Sequence, residues 1–548
     1  MKHALSLLFF FVLIPSINPM SAKDFAGGTG TETNPYLITT PQELSNLRNY
    51  LGSEYRNTYF KIENDINLSS FSATVWGDIG WMPIGTLYSP FCGILDGNGC
   101  TIGFTINNLN YLGLFGVIGV DGGTCPAYIK NLNIQCSIKG YDMCGGIAGF
   151  MGGGTRIENC SAECQINGGN YIGGLIGSGT GTIDNCQVKD IWLEGKGSYI
   201  GGLVGNGGGS ITNCSVNTKL PVNGSGNYIG GIIGYCDLLS IQNCNVNSTF
   251  ITGSISGIGG LVGCNSKSLS ISNCHTNSTI MTGVDYVGGL IGSVNGSLAM
   301  SNCSAETNQI AGNYYVGGLV GYMENGFSNQ CFSTCKLISG NVYVGGLVGA
   351  SSDASIIGNC YASGSVMGIS YIGGLIGFSG SSVVTSYSSC QVSATGNYSG
   401  AFLGYRKESS LVSNCYYLRP DYILEDNNNG AKGLTDAEMK SKNNFAGFNF
   451  SEIWDIYENE SYPFLRCFED ESSETSLENV PINTIHAYVS GNILNINGLV
   501  KNRQLFVYNL SGQPVYNSCI ADENLRIHLP YRGIYIIKYG KESVKIIY

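Results

Sequence analysis

The sequence is poor in charged residues and histidine, and it contains no Cys-x-x-Cys pair. Only 12% of its 548 residues are Asp, Glu, Lys or Arg, and four are His. Between Thr58 and Tyr405 the only arginine is Arg156, so the chain offers no basic surface for nucleic acid or an anionic membrane. Zinc is not expected either, because its structural sites combine Cys and His at short spacings.

Long apolar runs are absent after the N-terminus. Met1–Ala22 has a basic Lys2, an apolar core over Leu5–Ile14 and small residues at its end, a pattern typical of a secretory signal peptide. No later stretch approaches the roughly 20 apolar residues of a membrane span. We therefore expect an exported protein, secreted or held at the outer cell surface, without a transmembrane span.

What the chain does contain is glycine, 80 residues of it, much of it in a repeated motif. Variants of Tyr-Ile-Gly-Gly-Leu-Ile-Gly recur ten times between Met143 and Gly404. The second glycine of the pair returns every 28 or 29 residues from Gly146 to Gly374. A period this regular predicts one small structural unit stacked many times.

A second motif, Ile-x-Asn-Cys, recurs in phase with the first. After Cys160, apolar and polar residues alternate strictly, and the same alternation follows Cys214 and Cys244. Period-two alternation predicts a strand with one buried face, and no amphipathic helical stretch occurs in the unit. These features predict an all-β protein, a parallel β-solenoid with coils of about 28 residues that each rise roughly 4.8 Å.

Each repeated residue type predicts one feature of the coil. The Gly-Gly pair is expected to supply positive φ at one corner, and the Asn of the second motif to turn another in the left-handed conformation. The Cys column is expected to lie inside as apolar filler with free thiols: Cys160, Cys186, Cys214, Cys244, Cys274, Cys303, Cys331, Cys360, Cys390 and Cys415. Possible disulfides are Cys236 with Cys264 and Cys92 with Cys100.

Changes in composition divide the chain into segments. Thr40, Pro41 and Glu43 predict the start of a short helix that covers the open N-terminal end of the solenoid. Aromatic residues near the far end are expected to close it, and short alternating strands at the C-terminus to form a small β-sandwich. The predicted boundaries are 1–22 (signal peptide), 23–57 (cap), 58–418 (solenoid), 419–468 (closing segment), 469–478 (linker) and 479–548 (C-terminal module).

The tyrosine that opens most copies of the first motif is the leading candidate for binding. If the next residue points inward, alternation places the tyrosine ring outside, where a stripe of rings could hold an extended sugar chain. The alternative is a structural stack of rings at a sharp corner. The column is interrupted at Gly257 and contains Tyr171, Tyr199, Tyr228, Tyr286, Tyr315, Tyr343, Tyr371 and Tyr398. Outward residues of the third strand are mostly Ser, Asn, Thr and Gln, which also suit glycan or protein contacts.

An acidic pair is the alternative site. Glu158 and Asp184 occupy one column in adjacent coils, with Arg156 beside them, and two such carboxylates could bind Ca²⁺ or act as a glycosidase pair. The other interpretation is a surface pair whose repulsion Arg156 relieves. No other cofactor is expected. The chain has no His-Glu-x-x-His motif, and His275 is the only histidine between the signal peptide and the C-terminal module, so no protease site is expected.

The glycine motif resembles the GLUG-motif repeats of bacterial surface proteins. Asn34–Ile38, Trp81–Gly85, Asp96–Gly99 and Phe445–Leu465 are similar to the flanks found in that family. The resemblance implies a right-handed, pectin-lyase-like β-helix and an adhesin-like or IgA-peptidase-like surface protein. Because the peptidase motif is missing, the adhesin-like interpretation is favoured.

The C-terminal module resembles the sorting domain of type IX secretion in Bacteroidetes, through Leu505–Gln513, Leu529–Tyr535 and Lys545–Tyr548. That resemblance implies contact with the secretion machinery and delivery to the cell surface or medium. The predicted function is non-enzymatic binding of extracellular glycans or of host or partner proteins. The alternatives are a polysaccharide lyase or hydrolase on the same scaffold, and a passive surface stalk.

Overall fold

The computed structural model describes residues 24–120, 122–219, 221–419 and 430–468, together with 486–490, 493–497, 504–509, 514–519, 524–529, 534–539 and 542–547. The expected signal peptide and linker lie outside the described residues. The chain divides into two compact units, Met1–Phe464 and Leu465–Tyr548.

The first unit is a parallel β-solenoid of about 11 turns with about 29 residues per turn, which confirms the predicted fold. Each regular coil contributes to three parallel sheets. Sheet 1 contains the short strands at the Gly-Gly motif, Cys144–Gly145, Ile172–Gly173, Ile200–Gly201, Ile229–Gly230, Ser256–Gly259, Asp285–Gly288, Tyr314–Gly317, Val342–Gly345, Ser370–Gly373 and Ser399–Gly400.

Sheets 2 and 3 form the two longer sides of the coil. Sheet 2 contains Tyr36–Ile38, Tyr59–Ile62, Ile94–Asp96, Phe115–Ile118, Tyr128–Lys130, Ala148–Glu158, Ile176–Asp184, Val204–Thr212, Ile233–Gln242, Val262–Ser272, Ile291–Ser301, Val320–Asn329, Val348–Ser351, Ile356–Gly358, Ile376–Ser379, Ser382–Val384, Leu403–Arg406 and Val412–Ser413. Sheet 3 contains Ile66–Asn67, Thr101–Asn107, Asn133–Lys139, Ser161–Gly168, Gln187–Lys189, Trp192–Gly195, Ser215–Thr218, Val222–Gly224, Asn245–Gly253, His275–Thr282, Ser304–Ala311, Phe332–Ser339, Tyr361–Gly368, Tyr387–Ala394, Tyr416–Leu418 and Lys432–Leu434.

Equivalent residues of successive coils pair directly. Ile157 pairs with Ile183, Ile183 with Ile211, and Ile211 with Ile241, and all of these side chains are buried. The repeated letters therefore form columns along the solenoid, with the apolar columns making one continuous core.

The asparagine corner forms as predicted. Asn185, Asn213, Asn243 and Asn273 have φ between 49° and 54°, the left-handed region in which asparagine is the least strained residue after glycine. The side-chain amide of Asn273 donates to Asn243, and that of Asn243 donates to Asn213, both over 3.1 Å. Stacked amides thus join consecutive coils at this corner.

The prediction for the Gly-Gly pair is wrong, because none of the pairs in this motif has positive φ. A Cβ on Gly173 would collide with the carbonyl oxygen of Ile176, and one on Gly174 with that of Gly202. Glycine is needed here for close backbone approach. The positive φ at this corner belongs to the preceding tyrosine, which is 61° at Tyr171.

The cysteine column lies inside the solenoid, as predicted, and its thiols are free. Except for Cys390, each of these thiols donates to the carbonyl two residues before it, as Cys186 does to Asp184 over 3.2 Å. One assignment to the column is wrong: Cys390 pairs with Gly364 in a neighbouring column, and Ser386 takes the column position. The Ser386 hydroxyl accepts the backbone N–H of Cys360 over 3.1 Å.

Neither disulfide considered from the sequence forms. Cys92 bonds to Cys125 in the next coil, with their Cα atoms 5.5 Å apart, because Ile94 pairs with Tyr128 and brings the two preceding segments together. Cys100 is a free, partly exposed thiol.

Cys236 and Cys264 are also free. Cys264 pairs with Tyr235, whereas Cys236 pairs with Asn265. This offset of one residue places the two thiols on opposite faces of sheet 2, where they cannot meet.

The N-terminal helix, Pro41–Asn46, begins as predicted. Thr40 Oγ1 accepts the backbone N–H of Glu43, and the Glu43 carboxylate accepts that of Thr40, forming a capping box. Leu44 and Leu47 are fully buried in the core cluster of the solenoid. The other helical segments are Leu47–Asn49, Ser53–Tyr55, Ser69–Trp76, Gly77–Ile79, Asp436–Met439, Lys442–Asn444 and Arg466–Phe468.

The aromatic closing segment packs on the outward side of sheet 3 in the last coils. Phe445 contacts the rings of Tyr387 and Tyr416, and Trp454 contacts Tyr361 and Tyr387. The Trp454 indole N–H donates to the Asn359 side chain over 3.3 Å. A short pair of strands, Trp454–Asp455 and Phe464–Leu465, belongs to this segment.

The second unit contains two antiparallel sheets that share one core. Leu494 and Ile496 of the first sheet and Leu505, Val507 and Ile537 of the second are fully buried, as expected for a small β-sandwich. The first sheet contains His486–Ser490, Ile493–Asn497 and Asn524–His528; the second contains Gln504–Asn509, Pro514–Cys519, Ile534–Tyr539 and Glu542–Ile547. Among the described residues, no helix is long and apolar enough to cross a membrane.

Candidate functional site

The eight motif tyrosines form a ladder of rings along the corner before sheet 1. The ring centroids of Tyr171 and Tyr199 are 4.8 Å apart with planes 3° from parallel, and Tyr286 and Tyr315 repeat this geometry. The rings of Tyr315 and Tyr343 are stacked at 4.9 Å. We call this column the tyrosine ladder; its members are Tyr171, Tyr199, Tyr228, Tyr286, Tyr315, Tyr343, Tyr371 and Tyr398.

Every member of the ladder has φ between 57° and 69°. Met143, in the degenerate first copy, has φ of 59°, so the coil imposes this conformation whether or not a ring is present. A left-handed L-residue costs roughly 1–2 kcal/mol. An aromatic contact on each face contributes roughly 0.5–1.5 kcal/mol, which is enough to offset that strain.

A second set of rings packs edge-on against the ladder. Tyr235, Tyr322 and Tyr405 on sheet 2 make near-perpendicular contacts with Tyr199, Tyr315 and Tyr398 respectively. The ladder tyrosines are partly buried, and Tyr398 at the last coil is 40% exposed. Within stacked runs the ring faces are therefore covered by neighbours, and solvent meets mainly ring edges.

The ladder changes geometry at Gly257, which has φ of 77°. A Cβ at this position would lie 2.7 Å from the Tyr228 ring, so that ring leans over the place a tyrosine would occupy. The Tyr199 and Tyr228 planes are accordingly 41° apart rather than parallel. Burial raises the pKa of Tyr228 above its ordinary value.

The outward face of sheet 3 presents evenly spaced polar side chains. Asn247 pairs with Asn277, Asn277 with Glu306, Glu306 with Thr334, and Thr334 with Ser363. We call this column the polar file; Asn217 precedes it and Ser389 follows it in the same register. Its side chains are exposed or partly exposed, and they recur at about 4.8 Å, the distance between neighbouring strands.

The acidic pair is brought together as predicted, and Arg156 lies against both carboxylates. Glu158 pairs with Asp184 in sheet 2. The Arg156 guanidinium is 2.9 Å from Glu158 and 4.0 Å from Asp184, and the Tyr128 hydroxyl donates to Glu158. Burial and that hydrogen bond raise the pKa of Tyr128 to about 12.

Asp184 also accepts two side-chain hydrogen bonds from the next coil. The Thr212 hydroxyl donates over 2.6 Å and the Asn213 amide over 2.9 Å. These donors, with Arg156, lower the pKa of Asp184. In a glycosidase pair one carboxyl has a raised pKa and acts as the acid, while the other stays ionised. The surroundings of Asp184 favour its ionised form, which fits only the second of these roles.

His275 lies on sheet 3, where its Nδ1 is 3.0 Å from the Ser304 hydroxyl. Burial lowers its pKa. In the part of the chain that the structure describes, no group of three or more His, Cys, Asp or Glu side chains is arranged to hold a metal ion.

Comparison with known proteins identifies the repeats. The family model of the GLUG motif matches residues 196–219 and 340–367. A putative Gly-rich membrane protein of Evansella cellulosilytica is 42% identical over 127 residues, which are 23% of this chain and 14% of the relative. Halomucin of Haloquadratum walsbyi is 37% identical over 127 residues, or 22% of this chain and 1% of the relative. The chain thus spans only a small part of these relatives.

A structural comparison matches a putative immunoglobulin A1 protease from Bacteroides ovatus. The two chains are 17% identical, and the match covers 81% of this chain and 96% of the other with a TM-score of 0.31. A score this low gives no ground for assigning the other protein's activity to this chain. From the sequence comparison, this is a repeat protein that contains GLUG motifs.

Proposed function

We propose that this chain is an exported repeat protein of the outer cell surface whose solenoid binds extracellular glycans without catalysis. The polar file on sheet 3 carries the proposal. Amides, hydroxyls and a carboxylate recur there at strand spacing, on a rigid sheet whose register is set by backbone pairing. A regular, pre-organised array makes repeated hydrogen bonds to an extended chain without ordering flexible loops.

The surface location is supported by the relatives. One is named a putative Gly-rich membrane protein and another a halomucin, and the signal-like N-terminus agrees with export. Fractionation of the native host with an antibody to this chain tests the location. Recovery only from the cytoplasm would contradict it.

Binding is tested by screening the whole chain against an array of neutral and acidic glycans, with an array of surface proteins as the second arm. We expect selective retention of neutral glycans. Reducing-sugar release from retained glycans would indicate the polysaccharide-degrading alternative, and retention of nothing on either array would indicate a passive stalk.

The tyrosine ladder is proposed as a second contact surface, through ring edges and hydroxyl groups. Tyr398 is its most exposed described member at 40%, and one face of an end ring has no ladder neighbour beyond it. Tyr398→Ala should weaken glycan retention if this end contributes. Unchanged retention would assign the ladder to structure alone.

For the C-terminal β-sandwich we propose a role in export as a type IX sorting domain. Support comes from the sequence resemblance and from its folding as a compact unit with its own core. Removing residues 479–548 in the native host should leave the chain inside the cell envelope. Undiminished export of that variant would contradict the assignment.

A further inference from the structure

A concave site lies on sheet 3 where a ridge of bulged strands ends. Thr307 pairs with Cys335, and Ile310 pairs with Ile338. In both coils the second residue follows the first by three positions. In the next coil the partners of Cys335 and Ile338 are Gly364 and Val366, which are only two positions apart. The extra residues project as a ridge on the outer face, and the surface steps inward at Gly364.

The step forms a cavity of about 310 Å³. This volume is near the lower limit of roughly 300–1,000 Å³ for small-molecule sites, so it matches one ring of a longer sugar chain. Four consecutive members of the polar file line it, together with two residues of the ridge: Asn277, Glu306, Thr334, Ser363, Asn308 and Lys336.

We propose that this cavity is the subsite that binds one neutral sugar unit, a proposal that rests on the glycan-binding function above. The Glu306 carboxylate accepts hydrogen bonds from adjacent sugar hydroxyls, and such charge-assisted bonds are the stronger ones. The Lys336 ammonium donates hydrogen bonds to sugar oxygens, while the Asn277 amide and the Thr334 hydroxyl can each donate and accept them.

A neutral ligand is favoured over an acidic one by charge. The single carboxylate and single ammonium in the cavity cancel, and the whole chain has a net charge of −11. Long-range repulsion therefore lowers the local concentration of polyanions at this surface. None of the described residues that line the cavity is aromatic, so recognition depends on hydrogen bonds and favours a hydroxyl-rich ligand over an apolar peptide.

The test is titration of the whole chain with a neutral oligosaccharide retained on the glycan array. Glu306→Gln keeps the size of the side chain but removes its charge, and Thr334→Trp fills the cavity from an outward position. We expect affinity to fall by about tenfold or more in both variants, because E306Q loses hydrogen bonds to a charged group and T334W leaves no room for the sugar. Glu194→Gln is the matched control, because Glu194 is an exposed glutamate on sheet 3 outside both the cavity and the polar file, and this variant should bind like the wild type.

The outcomes separate this proposal from the general one. Equal binding by wild type, E306Q and T334W would overturn the subsite while leaving glycan binding by the solenoid intact. Retention of acidic glycans alone would overturn the neutral-sugar subsite, and failure of the wild type to retain any glycan would overturn both proposals. If T334W does not fold, E306Q against E194Q decides the question alone, because both are isosteric exchanges at exposed positions.

Discussion

Tyr315 and Tyr286 stack face to face at 4.8 Å although both residues have positive φ. Bulky residues rarely adopt this conformation, so each ladder tyrosine combines unfavourable backbone strain with favourable stacking of its ring. The two contributions can be separated by substitution, because glycine removes the cost and the ring together, whereas alanine removes only the ring.

Tyr315→Ala is expected to destabilise the solenoid by about 2–3 kcal/mol, since it loses ring contacts with both neighbours. Tyr315→Gly loses the same contacts but relieves roughly 1–2 kcal/mol of left-handed strain. We therefore expect the glycine variant to be the more stable of the two in urea denaturation. Tyr314→Ala, at an adjacent ring that is 41% exposed, is the control and should cost less than either. An alanine variant as stable as the glycine variant would contradict the strain argument.

Gly257→Tyr is expected to extend the ladder and raise the melting temperature. The position already has φ of 77°, close to the ladder range, and the nearest obstacle is the Tyr228 ring, a flexible side-chain end that can return to the stack. Gly257→Ala is the matched control, because it adds strain without a ring and should lower the melting temperature. Equal destabilisation by the two variants would show that Tyr228 cannot move.

The three-sided coil, the columns and the asparagine corner could be predicted because they follow from period and alternation alone. The tyrosine corner could not, because nothing in the local sequence indicates that Tyr171 rather than Gly173 has positive φ. Alternation also fails at a corner, so the sequence left open both an exposed stripe of rings and a structural stack, and the stacked ring faces agree with the second. The disulfide between Cys92 and Cys125 could not be predicted, because the early coils lack the regular repeat that shows which residues lie next to each other in neighbouring coils.

The cavity on sheet 3 could not be predicted from the repeat period, because the glycine motif returns after 28 residues both before and after Gly346. The spacing from Cys335 to Ile338 exceeds that from Gly364 to Val366 by one residue. Strand pairing places these two spans side by side, so the difference marks the end of the bulged ridge. Residue type alone drew attention to Tyr and to the acidic pair, whereas the strand register and the bulged segments bring Glu306 and Lys336 into one cavity.

Thiol labelling should distinguish the buried column from the accessible cysteines. Cys100 is partly exposed and Cys467 exposed, whereas the other free cysteines whose side chains the structure describes are buried. Burial raises the pKa of Cys335 to about 12, which slows its reaction further because the thiolate is the nucleophile.

In the folded chain we expect iodoacetamide to modify Cys467 first and Cys100 next, with the column protected until urea unfolds it. Peptide mass spectrometry of samples labelled with and without urea provides the measurement. Modification of Cys214 in native conditions would contradict the buried column.

The interactions of Asp184 predict a specific loss of stability in acid. Hydrogen bonds from Thr212 and Asn213 lower its pKa in the fold, so its contribution is present above the unfolded pKa. That contribution is lost as pH falls through the lower folded pKa. Asp184→Asn should therefore be less stable than the wild type near neutral pH, and the difference should shrink as pH drops below about 4. A difference independent of pH would contradict the assignment.

Calcium provides an independent measurement on the same cluster. Because Arg156 lies against both Glu158 and Asp184, a divalent cation would have to displace a bound guanidinium. Millimolar calcium should leave the melting temperature of the wild type unchanged. Arg156→Ala removes that competitor, and a calcium-dependent rise restricted to this variant would show that arginine blocks a latent site. A rise in the wild type would instead support the calcium-binding interpretation.

Asn243 is the best position at which to test coupling between coils. Its amide donates to Asn213 and accepts from Asn273, and its φ is 52°. Asn243→Ala should cost about 2–3 kcal/mol, from two lost hydrogen bonds and left-handed strain, whereas Asn243→Gly should cost about 1 kcal/mol because only the hydrogen bonds are lost. Gln242→Ala, at the exposed neighbouring residue, is the control.

Since each coil contacts mainly its neighbours, hydrogen exchange in the Asn243 variants should accelerate most in the two adjoining coils. Uniform acceleration along the solenoid would show instead that it unfolds as one cooperative unit.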